Sequence, residues 1–182
     1  MKFVLASASP RRKELMQLIS SDFAIRPSSF EEEGITAATP AELVLLLAAG
    51  KAKAVESAAD ETVIGCDTIV AIGNEVLGKP KDKADAERMM RLLSGNTHSV
   101  YTGVCVLHQG REYSFAEETK VTFFSLSDEE IEAYITSDEP YDKAGAYGIQ
   151  GKAGLFVEKI EGDYNNVVGF PTARLNRLLK TL

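Results

Sequence analysis

Residues 3–12 (FVLASASPRR) constrain the fold of this chain more than any other stretch. Residues 3–6 are a short apolar run suited to a buried strand, and Ser9 followed by Pro10 marks a helix start, with Ser9 as N-cap and Pro10 at the first helical position. A strand that runs directly into a helix is the opening unit of an α/β protein. It also places Arg11 and Arg12 in the first helical turn, where the positive end of the helix dipole disfavours each by roughly 0.3–1 kcal/mol. Free amides, the hydroxyls of Ser7 and Ser9 and two guanidiniums make a phosphate cradle without a glycine-rich loop. Two solvated arginines on a surface helix satisfy the local physics equally well.

Length and charge narrow the possibilities. At 182 residues the chain can bury one good core, and a single domain over 1–182 is expected. A hydrophobic fraction of 45% with 26% charged residues is that of an ordinary folded protein. No apolar run approaches the roughly 18 residues that span a bilayer, and the N-terminus lacks the basic and apolar regions of a leader, so a cytoplasmic protein with no membrane contact is expected. Cys66 and Cys105 lie in apolar, strand-like runs and read as buried small hydrophobes rather than a disulfide. The formal charge of −7 argues against a nucleic-acid partner but allows a small anion in a local basic pocket.

Further along, Leu15, Leu18 and Ile19 share one face of the first helix, residues 22–27 read as a second strand, and residues 28–34 as a loop carrying Glu31, Glu32 and Glu33. A run of acids is usually a solvated turn. Thr39-Pro40-Ala41-Glu42 is a capping box opening a helix to about residue 57, with Leu43, Leu46, Leu47 and Ala54 on the packing face. Lys51 and Lys53 emerge from its more polar part, where a lysine commonly snorkels to solvent. Residues 62–66 form a β-rich run with Asp67 and Thr68 at its carboxyl end, the edge where open α/β sheets bind ligands. The chain continues as strand through 69–72, turns at Gly73-Asn74 and returns over 75–77. Asp67 is therefore not needed for a turn, and a carboxylate inside an apolar strand pair calls for metal binding or catalysis. Lys79, fixed between Gly78 and Pro80, can reach toward the same edge.

In the second half, residues 82–94 form an amphipathic helix with Ala86, Met89, Met90 and Leu93 inward and Gly95 as its stop. Residues 99–107 and 112–124 pair as a long hairpin around His108-Gln109-Gly110. His98 and His108 have no cysteine or second histidine at ligand spacing, which argues against zinc, and no base is placed for a serine or cysteine triad. Ser127 opens a second capping box, with Ile131, Tyr134 and Ile135 on one side of its helix. Residues 142–154 hold four glycines and suit a loop wrapped over a small ligand. Inside it, the Gln150 amide can complement the N3 hydrogen and O4 of thymine or uracil, a pattern that cytosine reverses. An ordinary solvated loop glutamine is the plainer reading. Residues 155–160 read as a last strand, and Pro171 starts a helix with Leu175, Leu178 and Leu179 inward.

Five stretches then carry a family resemblance in order and spacing: Leu5-Ala6-Ser7-Ala8-Ser9-Pro10-Arg11-Arg12, Gly65-Cys66-Asp67-Thr68, Gly78-Lys79-Pro80, the run from Asp142 to Gly151, and Gly162-Asp163-Tyr164 through Gly169-Phe170-Pro171. Together they resemble the Maf family of nucleoside triphosphate pyrophosphatases, also called septum formation proteins, over nearly the whole chain. The resemblance implies the inosine triphosphate pyrophosphatase-like fold: α/β, a long twisted mixed sheet with flanking helices and two lobes around a central cleft. It implies hydrolysis between the α and β phosphates, with a divalent cation as cofactor, Mg²⁺ with Mn²⁺ or Co²⁺ as alternatives. Asp67 would be the catalytic base and, with Glu32, a metal ligand; Glu31 is an alternative to Glu32. Ser7, Arg11, Arg12, Lys51 and Lys79 would hold phosphate. Arg12, Thr68 and Gln150 match the subfamily similar to enzymes that hydrolyse dTTP and UTP, and would set base specificity. Cys66, where alanine is more usual, and Phe170, in place of leucine, depart from the pattern as packing changes. The family also implies a homodimer and leaves open a second class of function, a nucleotide-binding regulator of division acting through a protein partner.

Overall fold

A computed structural model describes residues 1–73 and 75–182; the turn expected at Gly73-Asn74 involves Asn74, which lies outside the described residues. The strands are β1 (Lys2–Leu5), β2 (Phe23–Ile25), β3 (Glu61–Ile72), β4 (Glu75–Leu77), β5 (Thr97–His108), β6 (Arg111–Phe123) and β7 (Val157–Glu161). Among the described residues they form one mixed sheet of order β2-β1-β3-β5-β6-β7, with β4 paired to β3. β1 runs parallel to β2 and β3, whereas β4 is antiparallel to β3 and β7 to β6. The helices are α1 (Pro10–Gln17), α2 (Pro40–Lys53), α3 (Lys83–Leu93), α4 (Asp128–Ile135), α5 (Tyr164–Val168) and α6 (Thr172–Leu179). The chain divides into two compact units, one of Met1–Thr68, Thr102–Glu117 and Asn165–Leu182, the other of Ile69–Tyr101 and Glu118–Tyr164.

In the first unit the central strands are buried on both faces, so alternation sorts residues between two cores. Leu5, Ile64 and Cys66 pack with Met16 of α1 and Leu175 and Leu179 of α6. Val4, Ala6 and Val63 pack with Ala48 and Ala52 of α2. Odd positions of β3 therefore face α2, and even positions face α1 and α6. Continuing that alternation along β3 sends Asp67 toward α2 and Thr68 toward α1, and the site is built on this.

Both capping boxes form, Thr39 with Glu42 and Ser127 with Glu130, and Ser9 caps α1 with Pro10 at its first position. Two helix faces differ from expectation. α1 buries Met16, while Leu18 is 71% exposed. α2 ends at Lys53 and buries Val44, Leu47, Ala48 and Ala52, leaving Leu46 half-exposed. The reason is close approach: a Cβ built on Gly65 would lie 2.4 Å from the Ala48 carbonyl oxygen, and one on Gly103 2.1 Å from that of Val44. A helix lying against sheet backbone must present its smallest residues, so the leucine-rich side loses to the alanine side.

In the second unit α3 buries all four expected residues and packs beside α4. Gln109 and Gly110 both have positive φ, the geometry of a two-residue hairpin turn, so β5 extends through His108. Leu155 is not in a strand; it lies in a short 3₁₀ helix before β7 and is 84% exposed. His98, Phe123, Tyr134, Tyr147 and Phe156 form an edge-to-face aromatic cluster with centroids 4.9–6.2 Å apart. Both cysteines are buried free thiols. Among the described residues no helix is long and apolar enough to cross a membrane.

Candidate active site

The carboxylate of Asp67 is 9% exposed and would be costly to bury alone. Its partner is Lys51, whose Nζ donates to Asp67 Oδ1 at 2.6 Å and lies 2.7 Å from Glu32 Oε1. The sequence suggested a phosphate-binding or solvated lysine; the structure places this ammonium between the two acids expected to hold metal. Backbone contact sets the geometry, because Gly65 and Gly103 let α2 settle until the last turn of the helix brings Lys51 over Asp67. Glu32 comes from the irregular loop, which is anchored by Phe30: its ring fills the space that a side chain at Gly50 would need, a Cβ there lying 2.2 Å from Cζ. Glu31, Glu32 and Glu33 are all exposed, and Glu32 is the member of the run that reaches the lysine.

Two carboxylates aimed at one cationic centre form the donor set Mg²⁺ accepts when water and phosphate oxygens complete its octahedron. Among the described residues no group of three or more His, Cys, Asp or Glu side chains is placed to hold a metal ion. Asp67 and Glu32 thus fit a hard cation bound jointly with an anionic substrate rather than a closed protein cage.

On the other side of β3, Arg12 is enclosed in hydrogen bonds. Its Nε donates to the Gly169 carbonyl at 2.9 Å, Nη1 to the Cys66 carbonyl at 2.8 Å and more weakly to Ser7 Oγ at 3.4 Å, and Nη2 to Thr68 Oγ1 at 3.0 Å. Gly169 has φ of 110° and approaches so closely that a Cβ would lie 3.2 Å from Thr68 Oγ1. Ser7 Oγ also accepts from the Ser9 amide at 3.2 Å. With both lone pairs engaged, the Ser7 hydroxyl has its proton left over, the polarity needed to meet a phosphate oxygen. The guanidinium of Arg11, half-buried in the same first turn, makes no hydrogen bond or ion pair with the described residues. The thiol of Cys66, fully buried between these groups, is pushed up to about 12 by desolvation.

Lys79 and Gln150 belong to the second unit, and both are exposed. Lys79 follows β4, where the Gly78 carbonyl accepts from the Gly145 amide at 3.0 Å and Pro80 is buried. Gln150 precedes Gly151, on which a Cβ would lie 2.0 Å from Glu139 Oε1. The Glu139 carboxylate accepts from the amides of Lys152 at 3.0 Å and Ala153 at 3.4 Å, so it clamps the backbone just after Gln150. Sequence reasoning missed Glu139, which sits in an unremarkable acidic turn, and Thr102, whose β-branched side chain in an apolar strand reads as core. Thr102 Oγ1 lies 3.0 Å from Thr68 Oγ1.

The chain is 51% identical over 180 residues to a dTTP/UTP pyrophosphatase of Bacillus cytotoxicus, covering 98% of this chain and 94% of that protein. It is 52% identical, with the same coverage, to a dTTP/UTP pyrophosphatase of Bacillus cereus. Its fold is similar to that of the Ham1 protein of Staphylococcus aureus, with a TM-score of 0.54 at 15% identity over 100% of this chain and 99% of that one. A HAM1 protein from Coxiella burnetii gives a TM-score of 0.54 at 13% identity, with both chains fully covered. Residues 2–182 match the family described as Maf-like protein, and the chain belongs to that family.

Proposed function

We propose that this chain is a nucleoside triphosphate pyrophosphatase that hydrolyses dTTP and UTP to the monophosphate and pyrophosphate. The observation that carries the reading is the Lys51 ammonium held between Asp67 and Glu32, in a chain half identical to proteins named for that activity. Water attacks the α-phosphorus, the bond to the bridging oxygen breaks and pyrophosphate leaves. Asp67 takes the water proton on the oxygen that Lys51 does not hold. Ser7 donates to a phosphate oxygen, Arg11 and Lys79 balance the charge of the leaving pyrophosphate, and Lys51 turns to phosphate once substrate arrives. Asp67 and Glu32 would hold a divalent cation, which supplies Lewis acidity and charge neutralisation when bound. Arg12, Thr68 and Gln150 read the base. The whole chain acts as one functional domain, a cytoplasmic homodimer that clears nucleotides from the pool.

The test is product analysis by anion exchange with dTTP, UTP and CTP, with Mg²⁺ and with chelator. Monophosphate and pyrophosphate from dTTP and UTP, lost with chelator and in Asp67→Asn, are expected. Diphosphate and orthophosphate would overturn α/β cleavage. Tight binding without turnover would favour the regulatory reading, and light scattering of the purified protein checks the dimer.

A further inference from the structure

The hydrogen bonds around Thr68 have a direction that follows atom by atom and ends at Thr102, a β5 residue with no exposed surface. Arg12 carries only donors, so Thr68 Oγ1 accepts from its Nη2. The Asn166 carbonyl carries only lone pairs and lies 3.2 Å from Thr102 Oγ1, so Thr102 donates there. The two hydroxyls are 3.0 Å apart, and distance alone allows either to donate. The single proton of Thr102 is already used, so Thr68 is the donor. The reverse arrangement would set the Thr102 and Asn166 oxygens lone pair against lone pair.

Thr68 Oγ1 is left with one lone pair and no available proton. Beside it, Arg12 has placed its Nε on Gly169, its Nη1 on Cys66 and Ser7, and one Nη2 proton on Thr68, which leaves one N–H on Nη2. A donor next to an acceptor complements the imide edge of uracil and thymine, a carbonyl oxygen beside N3–H. Cytosine presents a lone pair at N3, which would face the Thr68 lone pair.

We propose that Thr102 is a positioning residue for base selection: by taking up the Thr68 proton it holds Thr68 Oγ1 as an acceptor toward the nucleotide, favouring uracil and thymine and disfavouring cytosine. This rests on the reading above in which Thr68 and Arg12 contact the base.

The experiment measures kcat and KM for UTP and CTP in the wild type, Thr102→Val, Thr102→Ser, Thr68→Val and the Thr68→Val/Thr102→Val pair, with thermal unfolding run alongside. Thr102→Val frees the Thr68 proton and is expected to lower the UTP-over-CTP preference in kcat/KM about tenfold, mainly through KM. Thr102→Ser restores the preference, and Thr102→Val has no further effect on the preference once Thr68 is valine. A merely structural role would slow both nucleotides alike. An unchanged UTP/CTP ratio in Thr102→Val, or a serine variant that behaves as valine does, overturns the role of Thr102 while leaving the base reading intact. A wild type with no preference for UTP over CTP overturns both. If Thr102→Val does not fold, Thr102→Ala against Thr102→Ser makes the same comparison.

Discussion

The two units bury polar groups in opposite ways. In the first, side chains converge with bonding capacity left over: one carboxylate oxygen of Asp67, the Ser7 proton, one Thr68 lone pair and Arg11. Around the aromatic cluster of the second, the buried polar groups pair within the protein, except His98 Nδ1, which has no hydrogen-bond partner among the described residues. The Tyr134 hydroxyl donates to the Ala146 carbonyl at 3.1 Å, His98 Nε2 and the Tyr147 hydroxyl pair at 2.7 Å, and Glu139 caps two amides. Burial pushes the Tyr134 and Tyr147 hydroxyls further from ionisation, so both stay protonated near neutral pH. Unfinished bonding marks where a ligand completes the structure, and finished bonding marks where the protein shapes itself.

If that division is right, Asp67→Asn should give the largest effect, a loss in kcat/KM of about 10³-fold from removal of a general base, with little change in stability since Lys51 keeps Glu32. Steady-state kinetics beside a denaturant titration would break the comparison if stability fell and activity did not. Lys51→Met should come next: removing the cation strands a buried carboxylate, so the metal-free protein should lose about 3 kcal/mol on unfolding by urea. Added Mg²⁺ should recover more of that stability in the variant than it contributes to the wild type.

The aromatic cluster of the second unit should respond to pH rather than to substrate. Desolvation lowers His98 to about 4 from 6.5, so the folded protein keeps it neutral where the unfolded chain binds a proton. Its folded value is depressed, and the resulting stability is complete above the unfolded value and is lost as pH falls from 6.5 toward 4. The expected loss is about 2 kcal/mol between pH 6.5 and 4.5, read by urea unfolding and reduced in His98→Phe. The smallest effect should be at Cys66, whose thiol is pushed up to about 12 by burial: iodoacetamide at pH 8 should leave native activity unchanged. Inactivation by modification there would mean that the first unit opens more readily than its packing allows.

Much of the fold was legible because local chemistry and periodicity agree. Ser9-Pro10, Thr39 to Glu42 and Ser127 to Glu130 each start a helix where capping requires. The continuous strand around Asp67 was also visible, and with it the anomaly of a carboxylate among apolar residues. What turns α2 was not visible. Hydrophobicity favours its leucines, but the contact is decided by Gly65 and Gly103 on strands far apart in sequence, and only that contact identifies Lys51 as the partner of Asp67. Thr102 was hidden for a related reason: a buried threonine in a strand looks apolar until its hydroxyl is given partners. Glu139 acts on amides 13 and 14 residues away, a distance at which no local pattern speaks.

The seating of α2 on two glycines also makes the helix a platform for measurement. Its position is set by backbone atoms in contact, so its outward side chains can be exchanged without moving Lys51. Leu46 is 51% exposed, and both native thiols are buried, so a cysteine introduced at 46 would be the one that a maleimide dye finds. A fluorophore there would ride on a helix seated by backbone contact, marking each molecule while the chemistry beneath it continues undisturbed.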